Sequence, residues 1–471
     1  MNSKYFKLIY LIFLLALFGY SIFDARTNFD DDLFLKKIVQ NYNLKPLATR
    51  RFDVDNKYFL GRSLFFDPIL SGNRDIACAT CHLWTRKSTD ALPLAIGTKG
   101  IGLAEKRRLT DDRGQVPRHS MDLWNRDNNA VTSMFWDGRV EALDPVKRTF
   151  RSPLGEYLPT GLENAMAVQA LFPLVRHDEM LGVYGDRSPK ELPMAHADLP
   201  NEFLTDTLYS SEAERMTAIH QLLMERLLGR SSVVLLDWQK TYQELFSSAY
   251  PDKLLQEMSI VDLGNAIAHY EELAFATRNT PWDHYLEGKT DVISGEAKKG
   301  AIIFYGKGKC VACHSGALFS DFNFHGLAVP QTGPGVDNSG EDLGRFHATG
   351  DPRDKYKFRT PPLRNVTVTT PYFHDGVAQT LEQVIRHHMN PLFRADKYRE
   401  DGGFAMSMEK INAVSPILAE GTVLSDQEVK NLIDFLGALE DSPIEDLVQY
   451  IIPESVPSGL PIDQPEALLV N

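Results

Sequence analysis

Two copies of the pattern Cys-x-x-Cys-His contain all four cysteines of this chain. They read Cys78-Ala-Thr-Cys81-His82 and Cys310-Val-Ala-Cys313-His314. Two thiols three residues apart on a helical turn can reach the two vinyl groups of one porphyrin, and the adjacent histidine can reach its iron. A zinc site would need the two pairs close together, and a thioredoxin-type dithiol needs no histidine. The pattern therefore predicts two covalently bound c-type haems, with His82 and His314 as iron ligands.

Composition and charge limit the class of protein. The 471 residues are enough for two or three domains, each with its own core. Hydrophobic residues make up 43% and charged residues 24%, which are globular values and exclude a disordered, collagenous or multi-spanning membrane chain. The net charge of −13 would repel a phosphate backbone but could attract a small basic protein. We therefore expect no nucleic-acid partner.

The amino terminus has the pattern of an export signal. Lys4 and Lys7 precede an apolar run over residues 8–18, which matches the charged and apolar regions of a signal peptide. Phe23 stands where a small residue usually precedes the cleavage site, so an uncleaved membrane anchor is the alternative. We assign residues 1–25 to this signal peptide or anchor. We expect a periplasmic protein that is either free or held at the inner membrane.

Two stretches of the chain follow the same plan. Residues 61–66 (Gly-Arg-Ser-Leu-Phe-Phe) precede the first haem motif, and residues 300–305 (Gly-Ala-Ile-Ile-Phe-Tyr) precede the second. Each copy ends with an amphipathic helix, one from about Ser259 and one that starts at the capping box of Ser425 and Glu428. Strand signals are weak and the connecting segments are rich in Gly and Pro. We therefore predict a mainly α-helical fold with long loops.

Further motifs occur in an order that resembles one known family. They are Leu64-Phe-Phe-Asp-Pro68, Phe135-Trp-Asp-Gly-Arg139, Glu179-Met180, Thr280-Pro-Trp-Asp-His-Tyr-Leu286, and Phe358-Arg-Thr-Pro-Pro-Leu-Arg-Asn365 running into Pro371-Tyr-Phe-His-Asp-Gly376. Over nearly the whole mature chain, the sequence resembles the bacterial dihaem cytochrome c peroxidases and the related methylamine-utilisation protein MauG.

The resemblance implies two cytochrome c-like haem domains. We place the first over residues 26–280, with the peroxide-reactive haem, and the second over residues 281–452, with the electron-transfer haem. The first contains a large insertion over residues 155–250, in which the sequence predicts a helix around residues 211–228. The four prolines after position 452 indicate an extended tail over residues 453–471.

The family also implies roles for three residues. A tryptophan lies between its two haems, and the motif match places that residue at Trp136. Its peroxide pocket carries a glutamine and a glutamate in the spacing Gln-x-x-x-Pro-x-x-x-x-x-Glu-Met, which falls on Gln169 and Glu179. An ionised carboxylate can accept a proton from peroxide and return it to the leaving oxygen, and glutamine can hydrogen-bond peroxide without titrating. The resemblance thus assigns electron relay to Trp136 and peroxide chemistry to Gln169 and Glu179.

The chain departs from the family pattern near the first haem. Many members have a histidine that blocks this iron until the second haem is reduced, but the comparable residue here is Thr98, a poor iron ligand. His119 is a candidate replacement, yet it aligns with an asparagine of the family's calcium site. The other calcium contributors are backbone carbonyls, which match Thr369 and Pro371. We therefore expect an open first haem, as in MauG, and a calcium site weakened by the loss of an oxygen ligand.

The second haem shows another departure. Its distal ligand is methionine in the peroxidases and tyrosine in MauG, whereas a gapless count from Pro361 places His388 at this position. His387 and Met389 are rival ligands. Adjacent helical residues point about 100° apart, so only one of the three can face the iron. We favour His388, then Met389, with His387 or an empty position as the remaining alternatives.

These inferences predict an exported dihaem peroxidase that reduces hydrogen peroxide to water with electrons from a small cytochrome c or copper protein. One alternative is a MauG-like oxidase that uses peroxide to oxidise a protein substrate. An open first haem favours that alternative, and the lack of a tyrosine ligand does not. Another is a dihaem electron carrier without turnover, although a carrier has no need of the Gln169 and Glu179 pair.

Overall fold

The structure is a computed structural model that describes residues 31–48, 50–110, 114–203, 209–336, 340–392, 407–442 and 445–463. The signal peptide or anchor predicted over residues 1–25 lies outside these ranges. Within them, no helix is both long enough and apolar enough to cross a membrane.

Helices make up most of the regular structure. They are α1 (31–41), α2 (Asn56–Phe66), α3 (Cys78–Cys81), α4 (Ala165–Gln169), α5 (Glu212–Leu228), α6 (Asp237–Ala249), α7 (Ile260–Ala274), α8 (Pro281–Leu286), α9 (Gly295–Tyr305), α10 (Phe346–Thr349), α11 (Leu381–Met389), α12 (Met408–Asn412), α13 (Pro416–Ala419), α14 (Asp426–Gly437) and α15 (Val448–Ile451). The prediction of a mainly α-helical fold is confirmed, and α5 covers the helix predicted in the insertion.

The strands are short and form three small antiparallel sheets. They are β1 (Gly100–Ile101), β2 (Arg108–Leu109), β3 (Ser133–Met134), β4 (Val140–Asp144), β5 (Thr149–Arg151), β6 (Phe324–Gly326) and β7 (Lys357–Arg359). β1 pairs with β2, β4 lies between β3 and β5, and β6 pairs with β7. At the end of β7, Arg359 donates its backbone N–H to the carbonyl of Trp136 at 2.8 Å. This strand therefore helps to position the tryptophan.

The two copies of the sequence repeat form matching helix pairs, in which α2 packs against α7 and α9 packs against α14. Both contacts require a glycine. A Cβ atom on Gly61 would lie 1.9 Å from the carbonyl oxygen of Ala266, and one on Gly300 would lie 1.9 Å from that of Asn431. The glycine at the start of each copy therefore allows a close approach of two helix backbones.

Capping boxes start both closing helices. Ser259 caps α7 with Asp262 as its reciprocal partner, and Ser425 caps α14 with Glu428. Loss of such a cap typically costs about 1 kcal/mol of stability. The helix starts predicted at Ser259 and Ser425 are confirmed.

Two hydrophobic cores support the two haem motifs. The first includes residues of α2, α4, α5, α6 and α7, and the second includes residues of α8, α9 and α14. The chain ends cross over between them. Leu35 and Ile38 of α1 pack in the second core, whereas Ile451 and Leu460 pack in the first. Both ends of the described chain thus tie the cores together, and the domain limits expected from the sequence stay a prediction.

Candidate haem sites and the residues between them

The first Cys-x-x-Cys-His motif opens onto a cavity with an empty volume of about 1110 Å³. Cys78, Cys81 and His82 all line it, because the single turn α3 carries both thiols and ends at His82. The Nδ1 atom of His82 lies 2.9 Å from the carbonyl oxygen of Ser88. Metal-binding histidines commonly donate one ring N–H in this way, which leaves the other nitrogen for the metal. These residues fit one haem held through the motif.

Gln169 and Glu179 line the same cavity. Gln169 ends α4, and Glu179 lies on a π-type turn over His177–Leu181. Such turns are rare and are often found at functional sites. Burial and the neighbouring Asp178 carboxylate raise the pKa of Glu179, against the lowering effect of Arg139. The structure therefore brings together the two residues that the sequence motif pairs.

Thr98 is not among the residues that line this cavity. Only 1% of it is exposed, and its hydroxyl donates to the Asp75 carboxylate at 3.0 Å and accepts from the Asn73 amide at 2.7 Å. Its backbone N–H donates to the carbonyl of Glu179 at 2.8 Å. Thr98 therefore supports the turn that carries Glu179 and does not face the haem cavity.

His119 lies near His82 in the wall of the first cavity. Its Nδ1 atom lies 2.7 Å from the carbonyl oxygen of Leu92, and its ring also hydrogen-bonds to the carbonyl of Thr369. The hydroxyl of Ser120, the next residue, lies 3.5 Å from Nδ1 of His82. Among the described residues, His82 and His119 are the only histidines that line this cavity. His119 is therefore the one described histidine besides His82 at this cavity, and its Nδ1 atom is engaged by the Leu92 carbonyl.

The residues matched to the family's calcium site do not fit a calcium ion. Calcium takes six to eight oxygen ligands. Here His119 offers ring nitrogens instead of an amide oxygen, and its ring hydrogen-bonds to the Thr369 carbonyl, which is one of the expected ligands. Burial lowers the pKa of His119 to about 4. A neutral imidazole thus stands where the resemblance implies a cation, and the expectation of calcium bound by Thr369 and Pro371 has no support in this geometry.

The second motif opens onto a larger cavity, with an empty volume of about 1770 Å³. Cys310, Cys313 and His314 line it, and Nδ1 of His314 lies 3.0 Å from the carbonyl oxygen of Phe319. This is the same arrangement as at the first motif. Burial lowers the pKa of His314 to about 4, which keeps the imidazole in the neutral form that binds metals.

His388, on α11, lines the second cavity, and its ring centroid lies 6.4 Å from that of His314. Nδ1 of His388 lies 2.8 Å from the carbonyl oxygen of Val384, so Nε2 is left for a metal. Two metal–nitrogen bonds of about 2 Å each, together with the depth of two imidazole rings, span about this separation. The pair therefore fits one iron between two histidines.

The two rival ligands are placed differently. His387 is fully buried, is not among the residues lining the cavity, and has its Nε2 atom 2.7 Å from the carbonyl oxygen of Leu327. Met389 lines the cavity, but the ring that faces His314 is that of His388. The geometry therefore supports the choice of His388.

Trp136 lies between the two cavities and lines both of them. It is 9% exposed, and its indole N–H donates to the backbone carbonyl of His119 at 3.0 Å. An aromatic side chain that only fills the hydrophobic core of one haem domain would line one of the two cavities at most. The position of Trp136 therefore suits the relay role that the resemblance implies.

A buried ion-pair cluster fixes the turn that carries Trp136. Arg118 lies 2.6 Å from the carboxylate of Asp137 and 2.7 Å from that of Asp342. Removing one partner of a buried ion pair leaves a charge unpaired, which typically costs about 3–5 kcal/mol. No motif indicated this cluster, because Arg118 and Asp342 lie 224 residues apart in sequence.

Two further arginines, Arg126 and Arg359, line the first cavity without a predicted role. Arg359 stands in the motif Phe358-Arg-Thr-Pro-Pro-Leu-Arg-Asn365, so its presence was visible in the sequence. The sequence does not show that Arg359 is buried, because no local pattern indicates which side of so short a strand faces a cavity.

Comparison with known proteins identifies the class of this chain. The family model described as di-haem cytochrome c peroxidase matches residues 55–291, which is half of the chain. The chain belongs to this family. The resemblance to dihaem peroxidases and MauG is confirmed, and so are the peroxidase class of oxidoreductase and the presence of two haem groups that the family implies.

Three similar proteins illustrate the match. Cytochrome-c peroxidase IdrP2 of Denitromonas iodatirespirans is 26% identical over 419 residues, covering 84% of this chain and 85% of that protein. Methylamine utilization protein MauG of Methylophilus methylotrophus is 24% identical over 393 residues, covering 83% and 84%. The crystal structure of a MauG-like protein associated with microbial copper homeostasis superposes with a TM-score of 0.56 at 22% identity, covering 88% of this chain and 97% of that one. The last comparison supports the fold.

Proposed function

We propose that this protein is an exported, periplasmic dihaem c-type peroxidase that reduces hydrogen peroxide to water. Each peroxide takes two electrons and two protons and yields two water molecules, and the electrons come from a small cytochrome c or copper protein. The observation that carries the proposal is the convergence of Gln169, Glu179 and the first haem motif on one cavity. A protein that only carries electrons has no use for a buried proton-transfer group.

The cysteine pairs of the two motifs are the proposed covalent attachment points, and His82, His314 and His388 are the proposed iron ligands. When bound, a haem would supply an iron that changes oxidation state, which is the redox chemistry that peroxide reduction needs. We propose that each haem belongs to its own cytochrome c-like domain.

Haem staining after denaturing electrophoresis tests the covalent attachment, since replacing Cys78 and Cys81 together should remove half of the stain. Fractionation of cells tests the periplasmic location.

Glu179 is the proposed proton-transfer group. Its carboxylate accepts a proton from peroxide and returns it to the departing oxygen, and the raised pKa brings it closer to the range in which both steps are easy. Gln169 orients peroxide through its amide without changing charge. The backbone bond from Thr98 to the Glu179 carbonyl holds the turn in place.

Trp136 is the proposed relay between the two sites. It is the buried aromatic side chain that lines both cavities, and Arg118 pairs with the adjacent Asp137. We propose that the electron donor docks on the carboxy-terminal half, and the net charge of −13 favours a donor with a basic face.

One observation favours a second candidate function. Thr98, which stands where many family members have the blocking histidine, is bonded to Asp75 and Asn73 and does not line the first cavity. A first site that is open in the oxidised protein suits a MauG-like oxidase, in which peroxide draws electrons from a protein substrate. The two candidates share the cavities and differ in where the electrons originate.

One experiment separates the candidates. Peroxide consumption is followed with a reduced small cytochrome as donor, on fully oxidised and on half-reduced holoenzyme, with Glu179→Gln as the matched control. Continuous turnover that consumes the donor and needs Glu179 supports the peroxidase. Peroxide consumption that leaves the donor reduced supports the oxidase, and no consumption at all leaves only an electron carrier.

A further inference from the structure

Arg359 is a buried cation with no carboxylate partner among the described residues. It is 1% exposed, and its Nε atom donates to the carbonyl of Phe135 at 3.0 Å. One terminal nitrogen lies 3.7 Å from the sulfur of Met121. The other, Nη1, has no hydrogen-bond partner in the described part of the chain. Burial lowers the pKa of Arg359 well below its ordinary value, so the protein alone does not stabilise this charge.

Arg126 presents a second unpartnered nitrogen to the same region. It is 5% exposed, and its Nε and Nη2 atoms donate to the carbonyl and carboxylate of Asp122 at 2.8–3.0 Å. Its Nη1 atom, like that of Arg359, has no partner among the described residues. The positive charge of Arg126 also opposes that of Arg359. Each arginine thus keeps one buried donor that no described residue satisfies, and a further acceptor beside the two, best a negatively charged one, would stabilise both.

Among the described residues, Asp122 is the acid that pairs with Arg126, and it leaves the Nη1 atoms of both arginines without an acceptor. Glu271 lines the first cavity and also has an unpartnered buried oxygen, but it forms no ion pair with either arginine. Burial raises the pKa of Glu271 to about 8, so at neutral pH it is largely an uncharged acid. No described side chain therefore satisfies the two Nη1 atoms, which leaves them for a group that fills the cavities.

We infer that Arg126 and Arg359 form the binding site for the propionate carboxylates of the haems, with Arg126 serving the first haem and Arg359 shared by both. A planar guanidinium matches a carboxylate better than any other side-chain donor does. Arg126 lines the first cavity, whereas Arg359 lines both cavities. The inference rests on the two bound haems and not on the peroxide reaction.

The shared position of Arg359 has an electrical consequence. A buried positive charge stabilises the reduced form of a nearby iron, because reduction lowers the positive charge at the iron. Arg359 also donates its backbone N–H to the carbonyl of Trp136 at 2.8 Å. The Arg359 side chain, which donates from Nε to the carbonyl of Phe135 beside the relay tryptophan, would thus raise the reduction potentials of both haems together.

The test is spectroelectrochemical titration of both haems in holoenzyme variants, together with the haem-to-protein ratio. For Arg359→Gln we expect the reduction equilibria of both haems to shift at least tenfold toward the ferric form, about 59 mV for each one-electron couple. For Arg126→Gln we expect a shift of that size in the first haem, with the second unchanged. Arg359→Lys keeps the charge but not the planar fork, so both potentials should stay near the wild-type values while the propionate bending bands in resonance Raman spectra change.

Several outcomes would overturn the inference. If Arg359→Gln leaves both reduction potentials unchanged, Arg359 does not bind the propionates of either haem. If only one potential shifts, Arg359 serves that haem alone and is not shared. If Arg359→Gln fails to assemble two haems, Arg359→Lys must restore both the haem content and the potentials, and its failure to do so leaves a purely structural arginine. None of these measurements uses peroxide turnover, so a protein without peroxidase activity could still confirm the arginine site.

Discussion

The indole N–H of Trp136 donates a hydrogen bond to the backbone carbonyl of His119 at 3.0 Å, and both residues line both haem cavities. Trp136 and His119 therefore belong to the wall that the two sites share. An aromatic ring there shortens the distance that an electron must cross through saturated groups.

Replacement of Trp136 by phenylalanine tests this position. Trp136→Phe keeps an aromatic ring but loses part of the ring system and the bond to His119. We expect steady-state peroxide turnover to fall at least tenfold, about 1.4 kcal/mol in the limiting barrier, while both haems stay bound. Trp124→Phe is the matched control, since Trp124 is also buried but lines neither cavity. Equal losses in the two variants would point to a general packing effect.

Glu179 gives a prediction for rate, pH and stability together. Glu179→Gln should slow peroxide turnover by roughly 10² to 10⁴ and leave the haem content unchanged. Because burial raises the pKa of this carboxyl, wild-type activity should decline on acidification at a pH above the ordinary glutamate range of about 4.3. A carboxyl with a raised pKa binds its proton more tightly in the folded protein than in the unfolded chain. The contribution of Glu179 to the free energy of unfolding is therefore lost as the pH rises through its folded pKa, and the ionised carboxylate lowers stability above it.

The stability effect separates the two possible roles of Glu179. Because glutamine carries no charge, Glu179→Gln should melt at the wild-type temperature or above at neutral pH. Asp178→Asn is the matched control, since it makes the same charge change on the same turn and Asp178 is paired with Arg176. A lower melting temperature with a small kinetic effect would assign Glu179 a structural role.

The state of the first site in the oxidised protein follows from Thr98. With this hydroxyl bonded to Asp75 and Asn73, we expect His82 to be the single protein ligand of the first haem iron. Paramagnetic resonance of the fully oxidised protein should show a high-spin ferric signal, and peroxide should react without prior reduction. Two low-spin signals and no high-spin signal would show that another residue binds this iron.

Local patterns predicted much of this molecule, and contacts distant in sequence account for the rest. The Cys-x-x-Cys-His motifs, the helix start near Ser259 and the capping box at Ser425 are short-range features, whereas the pairing of Gln169 with Glu179 came from the family resemblance. The pairing of Arg118 with Asp342 depends on how the two halves of the chain meet. The unpartnered nitrogen of Arg359 is visible only as a missing contact in three dimensions.

His119 gives a prediction about metal removal. Because its ring hydrogen-bonds to the Thr369 carbonyl, a calcium chelator should leave the spectra and the turnover of the wild-type protein unchanged. His119→Asn restores an amide oxygen, and added calcium should then raise the melting temperature of the variant by linkage. Loss of wild-type activity on chelation, reversed by calcium, would contradict this account of the site.

The last prediction concerns the second haem, where His388 faces His314 at a ring separation of 6.4 Å. Methionine as distal ligand raises a haem potential relative to histidine, so two imidazoles should hold this haem at a lower potential than in a methionine-ligated peroxidase. We expect a low-spin ferric spectrum without the near-infrared band of methionine-bound iron. His388→Met should raise the potential of this haem, with each tenfold change in the reduction equilibrium being about 59 mV. His388→Ala should open the site to small ligands such as cyanide.

His387→Ala is the matched control, because His387 is not among the residues that line the cavity. Appearance of the methionine band in the unmodified protein would assign the ligand to Met389, and the low potential expected here would then be wrong.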